Sequence, residues 1–232
     1  MPSADDIRTN LAAVRARLEQ AARAAGRDPS SVRLVAVSKT FPLEYIRAAY
    51  AAGQLDFGEN KVQEGLQKIE AAADLPIRWH LIGHLQSNKA RRAAAGFQVI
   101  HSVDDRDLLR RLDRAAADAG TAPEVLIQVD LAGEATKSGA PEEAIREIFA
   151  TDLHAVRLVG LMLLPPWTEN PEDVRPWFRR LRLLRDALRD EGVPADRLRE
   201  LSMGMSHDFG VAVQEGSTMV RVGTAIFGER RI

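Results

Sequence analysis

The sequence has no cysteine among its 232 residues, which excludes disulfide bonds, thiolate metal sites and cysteine nucleophiles. Neither sign of charge dominates, because 32 basic residues nearly balance 33 acidic residues. A chain without a net field has little to attract a polyanion, so nucleic acid is not an expected partner. Long apolar runs are also missing, since no stretch approaches the ~20 residues of a membrane span. We therefore expect a soluble, cytoplasmic protein.

The amino-terminal segment has the pattern of an amphipathic helix. Its apolar residues Ile7, Leu11, Val14 and Leu18 recur three or four positions apart, as on one helix face. Charged residues come before the apolar ones, which is not the order of a secretory leader. We expect an extra helix ahead of the main fold.

Beyond this helix, short apolar runs alternate with longer stretches of helical spacing. Eight strands are predicted, at residues 33–38, 54–57, 78–82, 98–102, 125–131, 158–163, 200–203 and 219–222. Repeated strand-then-helix units imply parallel strands with right-handed crossovers. Eight units favour a closed (β/α)8 TIM barrel, which leaves no exposed sheet edge. Because such barrels usually need ~250 residues, we expect abbreviated helices within a single α/β domain spanning residues 1–232.

Lys39 directly follows the apolar run 34–38 and so lies at the carboxyl end of the first predicted strand. Ligands and reacting groups collect at that edge of parallel sheets. A lysine held among apolar neighbours can lose its proton and attack a carbonyl. The alternative is that the amine extends into solvent.

The last two units predict a phosphate site. Gly223 and Thr224 lie between a strand and a short segment where a helix can start, so their backbone amides can bind phosphate. Ser206 adds a hydroxyl from the preceding unit, in the loops that barrels often use for this purpose. The alternative is that both hydroxyls cap their own helices. Arg221 is expected to point inward, where its charge needs a carboxylate or a ligand atom as partner.

Two further patterns are less specific. Asn60 follows the second strand and either contacts a ligand or begins a helix. His80 and His84 have the spacing of a helical metal pair, but they lie on a strand and its exit loop without a third ligand. No metal site is expected.

Six segments together resemble the pyridoxal phosphate homeostasis proteins, which are relatives of the amino-terminal barrel of alanine racemase. The segments are LVAVSKTFP (34–42), FGENKVQE (57–64), WHLIGHLQSNK (79–89), GEATKSG (133–139), LSMGMSHDF (201–209) and STMVRVGTAIFGER (217–230). Two positions depart from the family pattern: Asp130 stands where asparagine is expected, and His207 stands where an acidic residue is common.

The resemblance implies an alanine racemase-like barrel in which Lys39 holds pyridoxal 5′-phosphate as a Schiff base. Three residues would hold the phosphate: Ser206, Gly223 and Thr224. Asn60 would lie beside the cofactor, and Arg221 would face the pyridine nitrogen. Because arginine does not readily give up a proton, that nitrogen would stay uncharged.

The function implied by the resemblance is intracellular pyridoxal phosphate homeostasis, in which the protein holds the aldehyde and passes it to apo-enzymes. An uncharged ring is a weaker electron sink, and racemisation needs two positioned proton-transfer groups, of which we identify only the lysine. The chain also ends at Ile232, without room for the second domain that supplies the tyrosine base of racemases. We expect a monomeric carrier. The alternatives are a pyridoxal phosphate-dependent amino-acid racemase or related enzyme, and a cofactor-free aldolase that condenses a lysine with a sugar phosphate.

Overall fold

Eight parallel strands close into a barrel in the computed structural model, which describes residues 2–133 and 138–229. In chain order the strands are β1 (Arg33–Val37), β2 (Asp56–Glu59), β3 (Arg78–Leu81), β4 (Val99–Val103), β5 (Glu124–Asp130), β6 (Ala140–Pro141), β7 (Arg157–Met162), β8 (Glu200–Met205) and β9 (Met219–Val222). Pairing of β1 with β9 and of β4 with β5 closes the barrel, and the two-residue β6 pairs with β5 outside it. The predicted (β/α)8 barrel is confirmed.

Helices cover the outside of the barrel. They are α1 (Ala4–Ala24), α2 (Leu43–Ala51), α3 (Val62–Ala71), α4 (Ala90–Gly96), α5 (Arg106–Ala119), α6 (Ile145–Phe149), α7 (Arg175–Asp190), α8 (Phe209–Gln214) and α9 (Thr224–Phe227). Short 3₁₀ helices occur at Pro29–Ser31, Ser87–Lys89, Glu142–Ala144, Pro171–Val174 and Ala195–Leu198. Four of the helices, α4, α6, α8 and α9, have seven residues or fewer, which is how the barrel fits into this chain length.

Helix α1 precedes the barrel, as its spacing predicts. Its start is fixed by a capping box, in which the Ser3 hydroxyl accepts from the Asp6 amide and the Asp6 carboxylate accepts from the Ser3 amide. The predicted apolar stripe is buried against α2, α8 and α9. This helix therefore covers the outer side of the helices that follow β1, β8 and β9.

The two faces of the strands differ in character. Along β9, Val220 and Val222 belong to the main apolar core between strands and helices, whereas Arg221 lies between them on the opposite face. Successive side chains of a strand point to opposite faces, so Arg221 points into the barrel. A small second apolar cluster fills part of the interior: Val99, Leu126, Val159 and Met162. Much of the remaining interior is polar.

Two local details differ from the predicted elements. The stretch 142–150 has helical spacing along its whole length, but it divides into a 3₁₀ turn at Glu142–Ala144 and the five-residue α6. The short strand β6 was not predicted, because two residues leave no alternating pattern. Within the described ranges, no helix is both long and apolar enough to cross a bilayer.

Candidate functional site

A pocket of about 270 Å³ opens where β1, β8 and β9 end, and this volume is near the lower limit of ~300 Å³ for small-molecule sites. Its lining brings together the six predicted site residues: Lys39, Asn60, Ser206, Arg221, Gly223 and Thr224. They lie at the carboxyl ends of four strands, β1, β2, β8 and β9, which the parallel barrel brings to one mouth. The pocket therefore combines an amine, a guanidinium, hydroxyls and backbone amides.

Lys39 lies in a strained turn immediately after β1. The Phe41 amide donates to the Ser38 carbonyl at 3.0 Å and closes the turn, while Lys39 itself is half-buried. Thr40 has a φ of 68°, a left-handed conformation that is costly for a β-branched residue. Such backbone strain costs of order 1–3 kcal/mol and persists only where surrounding contacts enforce it. Nearby contacts must therefore hold this turn.

A partly buried ionic cluster behind the turn supplies those contacts. The Lys68 ammonium donates at 2.8 Å to the Ser38 carbonyl and to the carboxylates of Glu59 and Glu64. Glu64 in turn accepts from the strained Thr40 amide at 2.6 Å. We call Ser38, Glu59, Glu64 and Lys68 the anchor cluster. It binds the backbone on both sides of Lys39 and so fixes where the amine enters the pocket.

The two carboxylates of the anchor cluster differ in their acidity. Burial raises the pKa of Glu59 above its ordinary value, although Lys68 and the Ser38 hydroxyl act against this shift. Burial also works to raise the pKa of Glu64, but hydrogen bonds from Lys68 and the Thr40 amide outweigh it and lower that pKa. Lys68 thus compensates two acids, of which Glu59 is fully buried.

Lys68→Met should destabilise the fold by about 3 kcal/mol at pH 7.5, because it leaves the Glu59 charge buried without compensation. The loss should shrink at pH 5, since a carboxylate whose folded pKa is raised takes up a proton as the pH falls. Urea unfolding of both proteins at the two pH values measures the change.

The matched control is Arg47→Met, which breaks an exposed ion pair with Asp74 at 2.8 Å. Exposed ion pairs contribute little to stability, so this variant should unfold almost as the wild type does. Equal losses in Lys68→Met and Arg47→Met would contradict the assigned role of the anchor cluster.

Arg221 forms the inner wall of the pocket and is only 3% exposed. Its guanidinium donates to the Ser202 hydroxyl at 2.6 Å and to the Leu163 carbonyl at 2.9 Å. These neutral groups replace the carboxylate partner considered from the sequence, while the buried Asp208 acts on Arg221 only electrostatically. Burial lowers the pKa of Arg221 to about 10, so the side chain remains a cationic donor at neutral pH.

The three residues predicted to bind phosphate, Ser206, Gly223 and Thr224, line the same pocket. The Ser206 hydroxyl accepts from the Gly223 amide at 3.2 Å and from the Ala225 amide at 3.5 Å. Helix α9 begins at Thr224, whose side chain is exposed at the pocket's rim. Ser206 thus bridges two loops. It does not cap its own helix, which was the alternative that the sequence left open.

Asn60 is held at the pocket by a close backbone approach. A Cβ atom added to Gly83 would lie 2.3 Å from the Asn60 carbonyl oxygen, so only glycine allows the two loops to touch. Helix α3 begins at Val62, and Asn60 is therefore not the residue before the helix. Of the two interpretations of Asn60, this packing favours contact with a ligand over the start of a helix.

Sequence reasoning did not select five other lining residues: Val37, Ile82, Leu164, Met205 and His207. The four apolar ones follow or end barrel strands, so the strand register was the only signal for them. His207 stacks near Trp167, with ring centroids 6.4 Å apart, and its adjacency to Ser206 was the available clue.

Of the two histidines considered as a metal pair, His80 is in the barrel interior and His84 pairs with Asp104 at 3.3 Å. Among described residues, no cluster of three metal-ligating side chains occurs.

A parallel barrel with a lysine after its first strand and a phosphate-type loop after its last defines a class of cofactor-binding α/β barrels. The family model for the N-terminal domain of alanine racemase matches residues 9–231. The pyridoxal phosphate homeostasis protein of Pseudomonas aeruginosa is 48% identical over 97% of this chain and 96% of its own length. The one from Aquifex aeolicus is 46% identical, over 95% and 97% respectively. The chain therefore belongs to the alanine racemase N-terminal domain family, in the branch of the pyridoxal phosphate homeostasis proteins.

Solved structures give the same relationship. PipY of Synechococcus elongatus with pyridoxal phosphate bound is 41% identical, with a TM-score of 0.83 over 96% of this chain and 100% of that chain. An alanine racemase from Clostridium difficile is 14% identical, with a TM-score of 0.74, and this chain covers 60% of it. The second likeness concerns the fold alone.

Proposed function

We propose that this protein binds pyridoxal 5′-phosphate through Lys39 and acts in pyridoxal phosphate homeostasis as a carrier of the cofactor. The observation that carries the proposal is the meeting of the Lys39 amine, the Arg221 guanidinium and the Ser206 loop in one pocket. Relatives that are 46–48% identical are named pyridoxal phosphate homeostasis proteins, and the structure of a 41% identical relative contains bound pyridoxal phosphate.

The donor set of the pocket fits this cofactor. Its aldehyde condenses with a lysine amine, releasing water and forming a carbon–nitrogen double bond. Two of the five N–H groups of Arg221 donate to Ser202 and Leu163. Because Arg221 also lines the pocket, a further N–H group would donate to the pyridine nitrogen. Ser206, Gly223 and Thr224 would bind the phosphate by hydroxyl and amide donors. Asn60 would hold the cofactor from the side.

In this proposal the whole chain acts as one monomeric domain in the cytoplasm and passes the cofactor to apo-enzymes. Three large apolar side chains are prominently exposed among the described residues: Leu55, Trp167 and Leu183. They lie on separate elements, and scattered apolar side chains do not form an interface patch, which supports the monomer. A chain without cysteine fits the reducing cytoplasm.

The test is reduction of the purified protein after incubation with pyridoxal phosphate. We expect a yellow protein whose visible band moves when borohydride reduces the carbon–nitrogen double bond. Peptide mass analysis should then place the reduced label on Lys39. A protein that stays colourless with added cofactor, or a label spread over exposed lysines, would contradict the proposal.

The enzymatic alternative is tested by α-proton exchange in deuterated water with a panel of amino acids. His207 lines the pocket and is a second side chain able to transfer a proton, so the comparison requires a His207→Phe variant. A carrier should show no exchange above that of free pyridoxal phosphate. Exchange that depends on both Lys39 and His207 would favour an amino-acid-transforming enzyme.

A further inference from the structure

A continuous chain of polar side chains crosses the interior of the barrel and ends at the pocket. Asp56, at the start of β2, lies 2.9 Å from Nε2 of His80, and Nδ1 of His80 lies 2.9 Å from Nε2 of His101. Nδ1 of His101 lies 2.8 Å from the Ser202 hydroxyl, which accepts from Arg221 at 2.6 Å. Barrel interiors are usually filled by branched apolar side chains, so this polar line is an exception.

The chemistry of its two ends fixes the direction of every hydrogen bond. Arginine only donates and a carboxylate only accepts. Because the Asp56 carboxylate accepts, Nε2 of His80 donates to it, and Nδ1 of the neutral His80 ring accepts from Nε2 of His101. Nδ1 of the neutral His101 ring then accepts from the Ser202 hydroxyl, whose oxygen accepts from Arg221. The reverse order would place an unprotonated ring nitrogen of His80 against the carboxylate.

Both imidazoles are neutral in this arrangement. Burial lowers the pKa of His80, although Asp56 acts in the opposite direction. Burial, His80 and Arg221 together hold the pKa of His101 well below its ordinary value. The charged groups facing the two rings are Asp56, Arg33, Arg78 and Arg221. Each ring thus has one donor and one acceptor nitrogen, and both are used.

We propose that Asp56, His80, His101 and Ser202 form a one-way hydrogen-bond relay that positions the Arg221 guanidinium at the inner end of the pocket. Through this relay, a carboxylate at the amino-terminal end of the barrel determines how a cationic donor meets a ligand at the other end. The four residues are positioning residues, because none of them is among the described residues that line the pocket.

The first test needs no cofactor. Long-range proton–nitrogen NMR correlations of the five histidines should show His80 and His101 protonated at Nε2 alone, from pH 8 to pH 6. In Ser202→Ala, His101 loses the hydroxyl that donates to its Nδ1, so the ring-nitrogen resonances of both histidines should shift. A His101 ring protonated at Nδ1, or rings that ignore Ser202→Ala, would overturn the relay.

Ser217→Ala is the matched control for that variant, because Ser217 is equally buried but lies outside the relay. Within the described part of the chain, its hydroxyl hydrogen-bonds to main-chain carbonyls alone, those of Leu201, Met203 and Met219. It should leave the His80 and His101 resonances at their wild-type positions.

The second test rests on the proposed function and uses bound pyridoxal phosphate as the probe. Ser202→Ala should shift the visible band and release the cofactor about tenfold faster than Ser217→Ala, since a hydrogen bond to a charged group is lost. Equal release from the two variants would overturn the positioning role. If the wild type binds no pyridoxal phosphate, the proposed function fails, whereas the NMR result still decides the relay.

Discussion

Lys39→Ala should abolish covalent retention of pyridoxal phosphate. The methyl side chain cannot condense with an aldehyde, so borohydride should trap no label and the visible band of the attached cofactor should disappear. The fold should survive, because Lys39 is half-buried at the pocket and outside the apolar core. Absorption spectra before and after gel filtration, with mass analysis of the reduced protein, measure the effect.

Lys61→Ala is the control, since Lys61 lies on the exposed neighbouring cavity that also contains Asn60. It should retain wild-type colour and labelling. Normal colour and labelling in Lys39→Ala would refute the assignment of the amine, and so would equal loss in both variants, because it would reflect a disturbed pocket and not the removal of the reacting amine.

Gly83→Ala should destabilise the protein by about 3 kcal/mol and weaken cofactor retention together. The added methyl group would lie 2.3 Å from the Asn60 carbonyl oxygen and 2.8 Å from its Cα, both rigid backbone atoms. Overpacking costs typically 1–3 kcal/mol, and here relief requires Asn60 to move at the pocket's edge. Urea unfolding and the rate of cofactor loss are the two measurements.

Gly210→Ala provides a matched substitution. Its added Cβ would meet nothing within 4 Å, and it lies in α8, where alanine is favoured over glycine by about 1 kcal/mol. We expect unchanged or slightly higher stability and wild-type cofactor retention. If Gly83→Ala matches Gly210→Ala in both measurements, the close loop contact does not control the position of Asn60.

Particular elements explain how far sequence reasoning reached. The alternation of residues 219–222 placed Arg221 inside the barrel, because side-chain direction in a strand has a period of two. The same alternation could not identify its partners. Ser202 and Leu163 are 19 and 58 residues away, and only barrel closure brings them together. The sequence spacing pairs His80 with His84, whereas the hydrogen-bond partners of His80 in the structure are Asp56 and His101.

The anchor cluster illustrates a second limit. Lys68 and Glu64 lie on a helix with ordinary polar spacing, and such residues usually form a solvated face. Their role depends on the position of α3 behind the Lys39 turn, which depends on the packing of the whole barrel. The strained φ of Thr40 likewise has no sequence signal, because threonine rarely adopts it.

The sequence by itself determined the parallel barrel, the amino-terminal helix and the family, because these follow from local periodicity and from ordered motifs along the chain. It also selected the six residues that meet in the pocket. Only the tertiary structure decided what supports them: the anchor cluster behind Lys39, the loop contact of Gly83 with Asn60, and the relay behind Arg221. Those contacts join residues far apart in the chain, and buried polar partners are selected by three-dimensional geometry rather than by sequence spacing.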